Sequence, residues 1–304
     1  MRCRLLRCLI VALLGALLSM RAHAGAALVL LSDFGTADGA VSAMHGVAYG
    51  VDPALRVADL THQIPEYDIW LGAYRLYQTA NYWPEGSVFV AVVDPGVGTS
   101  RKPVVLKTRA GRYFVGPDNG LFTLIAERDG VAELREIDTA RQRLAGSADS
   151  HTFHGRDIFA YVGARLASGA IRYDEVGPAL PSDAVVRIAY QKPSRTGAVL
   201  RGIIPVLDEK YGNVWTSIPK ALLDELQVAA GDRLEVRILH RGRQVARVVA
   251  PFQHSFGAVA RGRPLVYLNS MLDVAVAVNQ GSFAARHRIG AGVDWQVELR
   301  KAAR

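Results

Sequence analysis

Four polar turns of this 304-residue chain contain the side chains best suited to chemistry. Aspartate and histidine can accept a proton, and a neighbouring arginine can hold a carboxylate in its charged form. An aspartate after a strand is more often a turn residue or a helix cap, so each turn alone is a weak indication of a site. The four turns are residues 32–38 (SDFGTAD), 94–101 (DPGVGTSR), 116–120 (GPDNG) and 151–157 (HTFHGRD).

Several familiar catalytic signatures are absent or incomplete. The triplet Asp33-Phe34-Gly35 occurs without the glycine-rich loop and the His-Arg-Asp loop of protein kinases. Residues 96–98 (GVG) lack the further glycines and the following acidic residue of a dinucleotide-binding turn. The sequence contains no G-x-S-x-G elbow, no H-E-x-x-H motif and no paired-histidine spacing. Serine-hydrolase and zinc chemistry are therefore not indicated.

Alternating strand-like and helical segments connect the turns. Apolar runs predict strands at 27–31, 56–60 and 88–93, and helical spacing predicts helices at 38–49 and 69–82. Unbroken apolar strands between helices are typical of a parallel or mixed sheet that is covered on both faces. Ligands of such sheets bind beyond the carboxyl ends of the strands, so we expect the four turns to lie at one edge.

The second half of the chain is richer in strand-like segments. Pro178, Pro181 and Pro193 mark a loose connection, and afterwards only 219–227 is clearly helical. We therefore predict two domains. The first is an α/β domain with a central, mostly parallel sheet at residues 25–185, and the second is a smaller antiparallel β-barrel domain at 186–304.

The first 24 residues have the pattern of a secretory signal peptide. A basic start precedes an apolar run at 8–20, which is shorter than the roughly 20 residues of a membrane span. Ala22-His23-Ala24 supplies the small residues at a signal-peptidase site. We expect an exported, periplasmic protein that begins at Gly25 and has no membrane segment after cleavage. An uncleaved anchor is the alternative.

Composition and charge exclude other classes. A chain with 50% hydrophobic and 21% charged residues is neither disordered nor fibrous. Four arginines and no acid lie in the first 24 residues, which leaves 32 basic and 28 acidic residues in the other 280. This mild balance gives no reason to expect a nucleic-acid partner. Cys3 and Cys8 both lie in the predicted signal peptide, so no disulfide or thiolate nucleophile is expected.

Taken together, the motifs resemble those of the S-adenosylmethionine (SAM) hydrolases, also called SAM hydroxide adenosyltransferases. That family is related to the fluorinating and chlorinating SAM enzymes. The resemblance spans about residues 27–300 and implies the family's fold, an α/β domain followed by a β-barrel domain. It rests on residues 32–35 (SDFG), 92–101 (VVDPGVGTSR), 116–120 (GPDNG), 152–157 (TFHGRD), 208–216 (DEKYGNVWT) and 267–270 (YLNS).

The resemblance implies attack of water or hydroxide at the ribose C5′ of SAM, with methionine as the leaving group. A sulfonium departs as a neutral thioether, so this reaction needs an aligned, desolvated nucleophile rather than a metal, general acid or cofactor. The family's Asp-Arg-His set falls on Asp94, Arg101 and His154. Asp94 would orient the water and accept its proton, and Arg101 would keep Asp94 ionised. His154 would complete the hydrogen bonds of the water or relay its proton.

The resemblance also implies residues that bind the adenosine end of the substrate. Asp33 would bind the ribose hydroxyls, with Tyr67 packed nearby. Asn213 would form a hydrogen bond with adenine, and Tyr211 and Phe256 would stack on the ring. One half of this set therefore comes from each predicted domain.

At the methionine end, the resemblance implies that Asp38, Asp208 and Ser270 hold the ammonium and carboxylate groups. This end departs from the fluorinating enzymes. Met271 stands where those relatives have an arginine, and Ala40 replaces a hydroxyl residue.

Halogenation is not expected. The halide enzymes carry tyrosine at the positions of Asp94 and His154, and hydroxyl residues where this chain has Val97 and Gly155. A carboxylate beside a halide site would repel the halide.

Two other functions are weighed against hydrolysis of SAM. One is a non-catalytic periplasmic protein that binds nucleosides or adenosyl compounds on the same scaffold, and the other is a structural or partner-binding domain. The complete Asp-Arg-His set argues against the binding protein, and in a structural domain the four polar turns would be caps. Family members form trimers in which each site lies between the first domain of one subunit and the second domain of its neighbour, so the resemblance implies a homotrimer.

Overall fold

A computed structural model describes residues 26–303. The predicted signal peptide, its cleavage site and the start at Gly25 lie outside the described residues. None of the helices within 26–303 is long and apolar enough to cross a membrane.

A mixed sheet of seven strands forms the centre of the first half of the chain. Its strands are β1 (Leu28–Ser32), β2 (Val57–Thr61), β3 (Val88–Val92), β4 (Pro103–Thr108), β5 (Tyr113–Pro117), β6 (Val131–Glu136) and β7 (Ala179–Leu180). Their order is β2-β1-β3-β5-β4-β6-β7. The pairs among β2, β1, β3 and β5 are parallel, and the other three pairs are antiparallel.

The sheet is therefore parallel along one edge only, where a mostly parallel sheet was predicted. The tight turn between β4 and β5 makes these two strands antiparallel neighbours. Gly111 in that turn has a φ of 73°, a left-handed conformation that suits glycine. Strand-like residues on both sides of Ala110-Gly111 predict this hairpin from the sequence, but no pattern predicts that β6 and β7 extend the antiparallel part.

Helices cover both faces of the sheet, as predicted. They are α1 (Ala40–Val51), α2 (Ile69–Thr79), α3 (Thr123–Arg128) and α4 (Tyr161–Ser168). Alternate residues of β1 belong to two different cores, because successive side chains of a strand point to opposite faces. Leu28 and Leu30 pack with residues of α1 and α4, and Val29 and Leu31 pack with residues of α2 and α3.

The second half of the chain forms two antiparallel sheets around a core of its own. One sheet has the order β10-β11-β15-β14, and the other has the order β13-β12-β16-β9-β8. The strands are β8 (Ser194–Thr196), β9 (Val199–Ile204), β10 (Val206–Asp208), β11 (Asn213–Pro219), β12 (Arg233–His240), β13 (Arg243–Pro251), β14 (Pro264–Leu268), β15 (Asp273–Val278) and β16 (Gly292–Lys301). Two short helices, α5 (Lys220–Asp224) and α6 (Phe283–His287), complete this half.

An isolated bridge between Phe252 and Val266 connects the edges of these two sheets. A closed barrel is not shown, so the predicted barrel stays a prediction. The predicted boundary at residue 185 falls between β7 and β8, and it also stays a prediction.

The packing of α4 on the sheet leaves no room at Gly163. A Cβ atom there would lie 2.2 Å from Cγ2 of Val90 in β3. We expect Gly163→Ala to lower the free energy of unfolding by about 1–3 kcal/mol through overpacking. Gly46 in α1 is the matched control because nothing lies within 4 Å of its Cβ position. Gly46→Ala should raise stability by about 0.5–1 kcal/mol. Urea denaturation would measure both, and shifts of the same sign would contradict this packing.

Candidate active site

A cleft of about 290 Å³ lies beyond the carboxyl ends of β1 and β3. Three of the four polar turns line it, and they contribute Asp33, Asp94 and His154 among other residues. The segment at Glu66 and Tyr67 forms another wall. Every residue that lines the cleft comes from the first half of the chain.

The fourth turn, 116–120, supports the cleft from behind. Asn119 Nδ2 donates a hydrogen bond to the carbonyl oxygen of Val93 at 2.9 Å. The side-chain oxygen of Asn119 also accepts from the backbone N–H of Leu121 at 3.2 Å. The turn therefore fixes the backbone immediately before Asp94.

Arg101 joins the other two members of the predicted catalytic set. Its Nε donates to both carboxylate oxygens of Asp94 at 2.9 and 3.0 Å, and its Nη2 contacts Asp94 Oδ2 as well. The same Nη2 lies 3.0 Å from His154 Nδ1. The side chains of Arg101 and Asp94 are only 9% and 5% exposed. The structure thus places all three side chains in one hydrogen-bonded group.

His154 faces a second arginine through its other ring nitrogen. Nη2 of Arg143 lies 3.4 Å from His154 Nε2, while its Nη1 donates to the carbonyl oxygens of Ser147 and Ser150 at 3.1 and 2.9 Å. Burial lowers the pKa of His154 below its usual range, and the positive charges of Arg101 and Arg143 lower it further. A protonated imidazole would point donors at two donors, so the site favours neutral histidine.

Asp33 is held at the opposite side of the cleft. Its Oδ2 accepts a hydrogen bond from the backbone N–H of Tyr67 at 3.0 Å. Tyr67 has a φ of 67°, an uncommon conformation for a residue with a side chain, of the kind that occurs at functional sites. Its ring is 66% exposed. Burial raises the pKa of Asp33, and the nearby carboxylates of Asp94 and Glu66 add to that effect.

Tight packing around Gly155 fixes the floor of the cleft. A Cβ at this position would lie 2.9 Å from the Phe34 ring, and Phe34 meets Phe153 edge to face with ring centroids 5.7 Å apart. Gly155 begins a π-helix at Gly155–Ala160. Single turns of π-helix are rare in proteins, and those that occur are often found at functional sites.

The second-half residues predicted to bind adenine, together with Asp208, lie away from the cleft. Asn213 Nδ2 donates to Asp208 Oδ2 at 3.1 Å. The Phe256 ring packs against Tyr267, with centroids 4.9 Å apart, and is 43% exposed. Tyr211 is 61% exposed. None of these residues is among those that line the cleft of the same chain.

Two residues predicted for the methionine end lie apart from both groups. Asp38 is exposed, and its Oδ1 accepts from the N–H of Ala40 at 2.9 Å, at the start of α1. Ser270 lines a separate hollow together with Arg75 and Met271. Within one chain, the structure does not bring Asp38, Asp208 and Ser270 together in the cleft.

Arg143, Phe34 and Glu66 are residues of the site that the sequence analysis missed. Phe34 and Glu66 are neighbours in sequence of Asp33 and Tyr67, so adjacency to the motifs was a usable signal. Arg143 lies outside every motif, and a single sequence carries no sign of it. Within residues 26–303, no three His, Cys, Asp or Glu side chains are grouped as a metal site.

Comparison with known proteins identifies the family of this chain. The model of the SAM hydroxide adenosyltransferase N-terminal domain matches residues 28–177, and that of the C-terminal domain matches residues 202–296. The two matches cover most of the chain, on both sides of the loose connection.

Individual relatives agree with these matches. The (R)-S-adenosyl-L-methionine hydrolase of Salinispora tropica is 41% identical over 256 residues, which cover 83% of this chain and 90% of that protein. A fluorinase of Actinoplanes sp. is 29% identical over 298 residues, covering 90% of this chain and 98% of that protein. The crystal structure of an uncharacterized conserved protein from Thermotoga maritima superimposes with a TM-score of 0.81 at 33% identity, covering 90% of this chain and all of that one. The resemblance inferred from the motifs is therefore confirmed, and the chain belongs to the SAM hydroxide adenosyltransferase family.

Proposed function

We propose that this protein hydrolyses SAM to adenosine and L-methionine by attack of water or hydroxide at the ribose C5′. The observation that carries the proposal is the hydrogen-bonded group of Asp94, Arg101 and His154 at the edge of a cleft. Relatives up to 41% identical are named SAM hydrolases, which supports the same substrate. The thioether leaves as a neutral group, so we propose a reaction without metal or cofactor.

Asp94 is the proposed acceptor for the attacking water. Arg101 fixes both of its oxygens, yet each carboxylate oxygen keeps a further lone pair that can accept from water. The side chains of this ion pair are only 9% and 5% exposed, and Arg101 offsets the cost of placing a carboxylate in such a position. Neutral His154 supplies a second polar group on the same side. Alignment of the water, rather than strong basicity, is the main contribution of this group.

Asp33 is the proposed partner of the ribose hydroxyls. The Tyr67 N–H occupies only one of its oxygens, so the other lone pairs are available to two hydroxyl donors. The exposed Tyr67 ring stands beside it at the mouth of the cleft and provides an apolar face for the substrate.

The same residues favour hydrolysis over halogenation. Val97 and Gly155 line the cleft without the hydroxyl groups that the resemblance assigns to halide binding. A side chain at position 155 would displace Phe34, and the Asp94 carboxylate would repel a halide ion.

We propose that a homotrimer completes the site. The cleft has only first-half residues around it, and the residues proposed for adenine and for the methionine end, among them Asp208, Tyr211, Asn213 and Phe256, lie elsewhere on the same chain. Exposed aromatic side chains of this kind are common where a partner or ligand packs. A neighbour's second half placed over the cleft would supply them, as the resemblance implies.

We also propose that the protein is exported to the periplasm, on the basis of the signal-peptide pattern. In that compartment the supply of SAM is external, so another adenosyl sulfonium with the same C5′ chemistry is the alternative substrate. A binding protein without activity is the competing function, and turnover distinguishes the two.

Replacing Asp94 with asparagine should abolish most turnover. Loss of a general base typically costs about 10²–10⁴ in rate, and the amide would also point an N–H₂ donor at Arg101. In water labelled with oxygen-18, the wild-type protein should form adenosine that carries the label at its 5′ oxygen, as mass spectrometry would show.

Asp33→Ala should instead raise KM more than it lowers kcat, because Asp33 is proposed to bind the ribose rather than the reacting atoms.

Asp183→Asn is the control for Asp94→Asn, since Asp183 is an exposed carboxylate outside the cleft. It should turn over like the wild type. Wild-type turnover in Asp94→Asn would refute the assignment of Asp94. No adenosine from SAM or from related adenosyl sulfoniums would refute the enzyme.

Arg143 should set the acid side of the pH profile. The pKa of His154 is lowered by burial and by Arg101, Arg143 and His151, and Asp94 opposes this. His154 should therefore stay neutral at pH values below the usual pKa range of histidine. On the acid side, kcat/KM should fall only when the pH is lower still. Arg143→Gln removes one positive charge, so the acid inflection should move to higher pH, while Arg143→Lys should keep it. Equal inflections in the wild type and Arg143→Gln would contradict this role.

Mixing inactive subunits tests the shared site. Asp94→Asn and Asn213→Ala damage opposite halves of each interface. Random reassembly of equal amounts should return about one quarter of the wild-type sites, because one site in four then joins two intact halves. Activity measured after joint refolding should show this recovery, and each variant refolded alone is the control. A fully active monomer, or no recovery in mixed trimers, would contradict the shared site.

A further inference from the structure

A second pocket lies between the two halves of the chain, apart from the catalytic cleft. Its volume is about 310 Å³, which is in the range of pockets for small molecules, and such pockets are frequent between domains. Helix α2 supplies Trp70, Tyr74 and Tyr77, the segment after the first sheet supplies Tyr190, and strand β15 supplies Asp273. No residue of the proposed catalytic or substrate-binding sets lines it.

The Asp273 carboxylate has no hydrogen-bond or ion-pair partner among residues 26–303. Its backbone N–H donates to Asn269 Oδ1 at 3.0 Å, but no described side chain or N–H group reaches its oxygens. Burial raises the pKa of Asp273 to about 7. A carboxylate in such a position is costly to keep charged unless a cation approaches it.

The other charged groups around the pocket neutralise one another. Glu127 accepts from Lys192 Nζ at 2.5 Å and from the Tyr190 hydroxyl at 2.6 Å. Arg128 binds Asp129 through Nε at 2.6 Å and through Nη2 at 2.9 Å. Asp273 is therefore the one charge of this group that lacks a counter-ion within the described chain.

Aromatic rings form the walls around that carboxylate. Trp70 and Tyr190 meet edge to face with centroids 5.0 Å apart, and Tyr74 and Tyr77 lie 5.9 Å apart. Tyr74 is only 2% exposed, and its hydroxyl group has no hydrogen-bond partner within residues 26–303. The faces of such rings attract cations, and an unpaired hydroxyl oxygen can accept from an N–H donor.

We infer that this pocket binds a small organic ammonium ion, with its N–H groups directed at Asp273 and Tyr74 and its alkyl groups against the aromatic rings. The Asp273 carboxylate would repel an anion. A neutral apolar molecule would leave that charge and the Tyr74 hydroxyl unpaired. A cation satisfies both groups and the ring faces together. The inference does not depend on the proposed hydrolysis of SAM.

The binding should depend on pH through Asp273. Protonation of this carboxyl group removes the counter-charge, so affinity should be greater at pH 8.5 than at pH 5.5. The groups that face it are two members of the ion pairs described above and three tyrosines, whose hydroxyl pKa values are raised by burial. They are Tyr74, Tyr77, Glu127, Arg128 and Tyr190.

Ligand-observed NMR titration of the purified protein tests the inference with two molecules of similar shape. tert-Butylammonium is a cation at both pH values, and tert-butanol is its neutral counterpart. We expect saturable binding of tert-butylammonium at pH 8.5, weakened at least about tenfold at pH 5.5 and in Asp273→Asn, as loss of a charge-assisted contact implies. Asp183→Asn is the matched control and should bind like the wild type. Tyr74→Phe should show an intermediate loss.

Three results would overturn the inference. They are the absence of saturable binding of tert-butylammonium to the wild type, equal affinity in Asp273→Asn, and equal affinity for tert-butanol. Asp273→Asn should fold, because it removes an uncompensated buried charge, and its thermal unfolding would be measured at the same two pH values. SAM turnover serves as a separate readout, so a failure of the proposed function would not be confused with a failure of this site.

Discussion

One buried cation, the Arg101 guanidinium, holds the polar side chains of the candidate site together. A carboxylate as buried as Asp94 would be strongly destabilised alone, and the pairing with Arg101 offsets that cost. The same guanidinium lies 5.2 Å from the centre of the Phe159 ring and contacts His154 Nδ1. A single group thereby fixes the position of two polar side chains, and its charge adds to the burial that lowers the pKa of His154. The neighbouring turns and helices determine where this cation lies.

Asp94 and Arg101 are close partners because one short turn carries both. Asp94 follows β3 and Arg101 precedes β4, so the pairing is local and costs little chain entropy. His154 comes from more than fifty residues away, and the π-helix that starts at Gly155 determines its direction. Asn119 secures the backbone before Asp94 from the other side. Rigid supports of this kind are what a site needs if its main task is to align a small nucleophile.

The sequence predicts the residues that line the cleft better than it predicts the residues and packing around them. Apolar runs locate β1 and β3, and the motifs after them contain Asp33, Asp94 and Arg101, because local patterns encode local structure. Residues 157–167 have the apolar spacing of one helix, yet the structure is π-helical up to Ala160 and α-helical only from Tyr161. Apolar spacing does not distinguish i+4 from i+5 hydrogen bonding. Arg143 is held beside His154 by contacts with backbone carbonyls, which any loop offers, so no sequence pattern predicts it. The separation of Asn213 from the cleft depends on how the two halves pack, and spacing along the chain does not determine that.

The placement of charge in the cleft also suits the proposed reaction. When neutral water displaces a thioether from a sulfonium, positive charge moves from sulfur to the attacking oxygen. A carboxylate near sulfur would stabilise the ground state, whereas one near the attacking oxygen stabilises the transition state more, and only the second raises the rate. Asp94 is the carboxylate proposed to face the water, and its charge is already balanced by Arg101 in the resting site. Its attraction for the substrate cation is therefore reduced, while its lone pairs stay directed at the oxygen that becomes positive. In the proposed reaction, Arg101 fixes Asp94 in place, and the selectivity for the transition state comes from the position of Asp94 beside the attacking oxygen rather than beside sulfur.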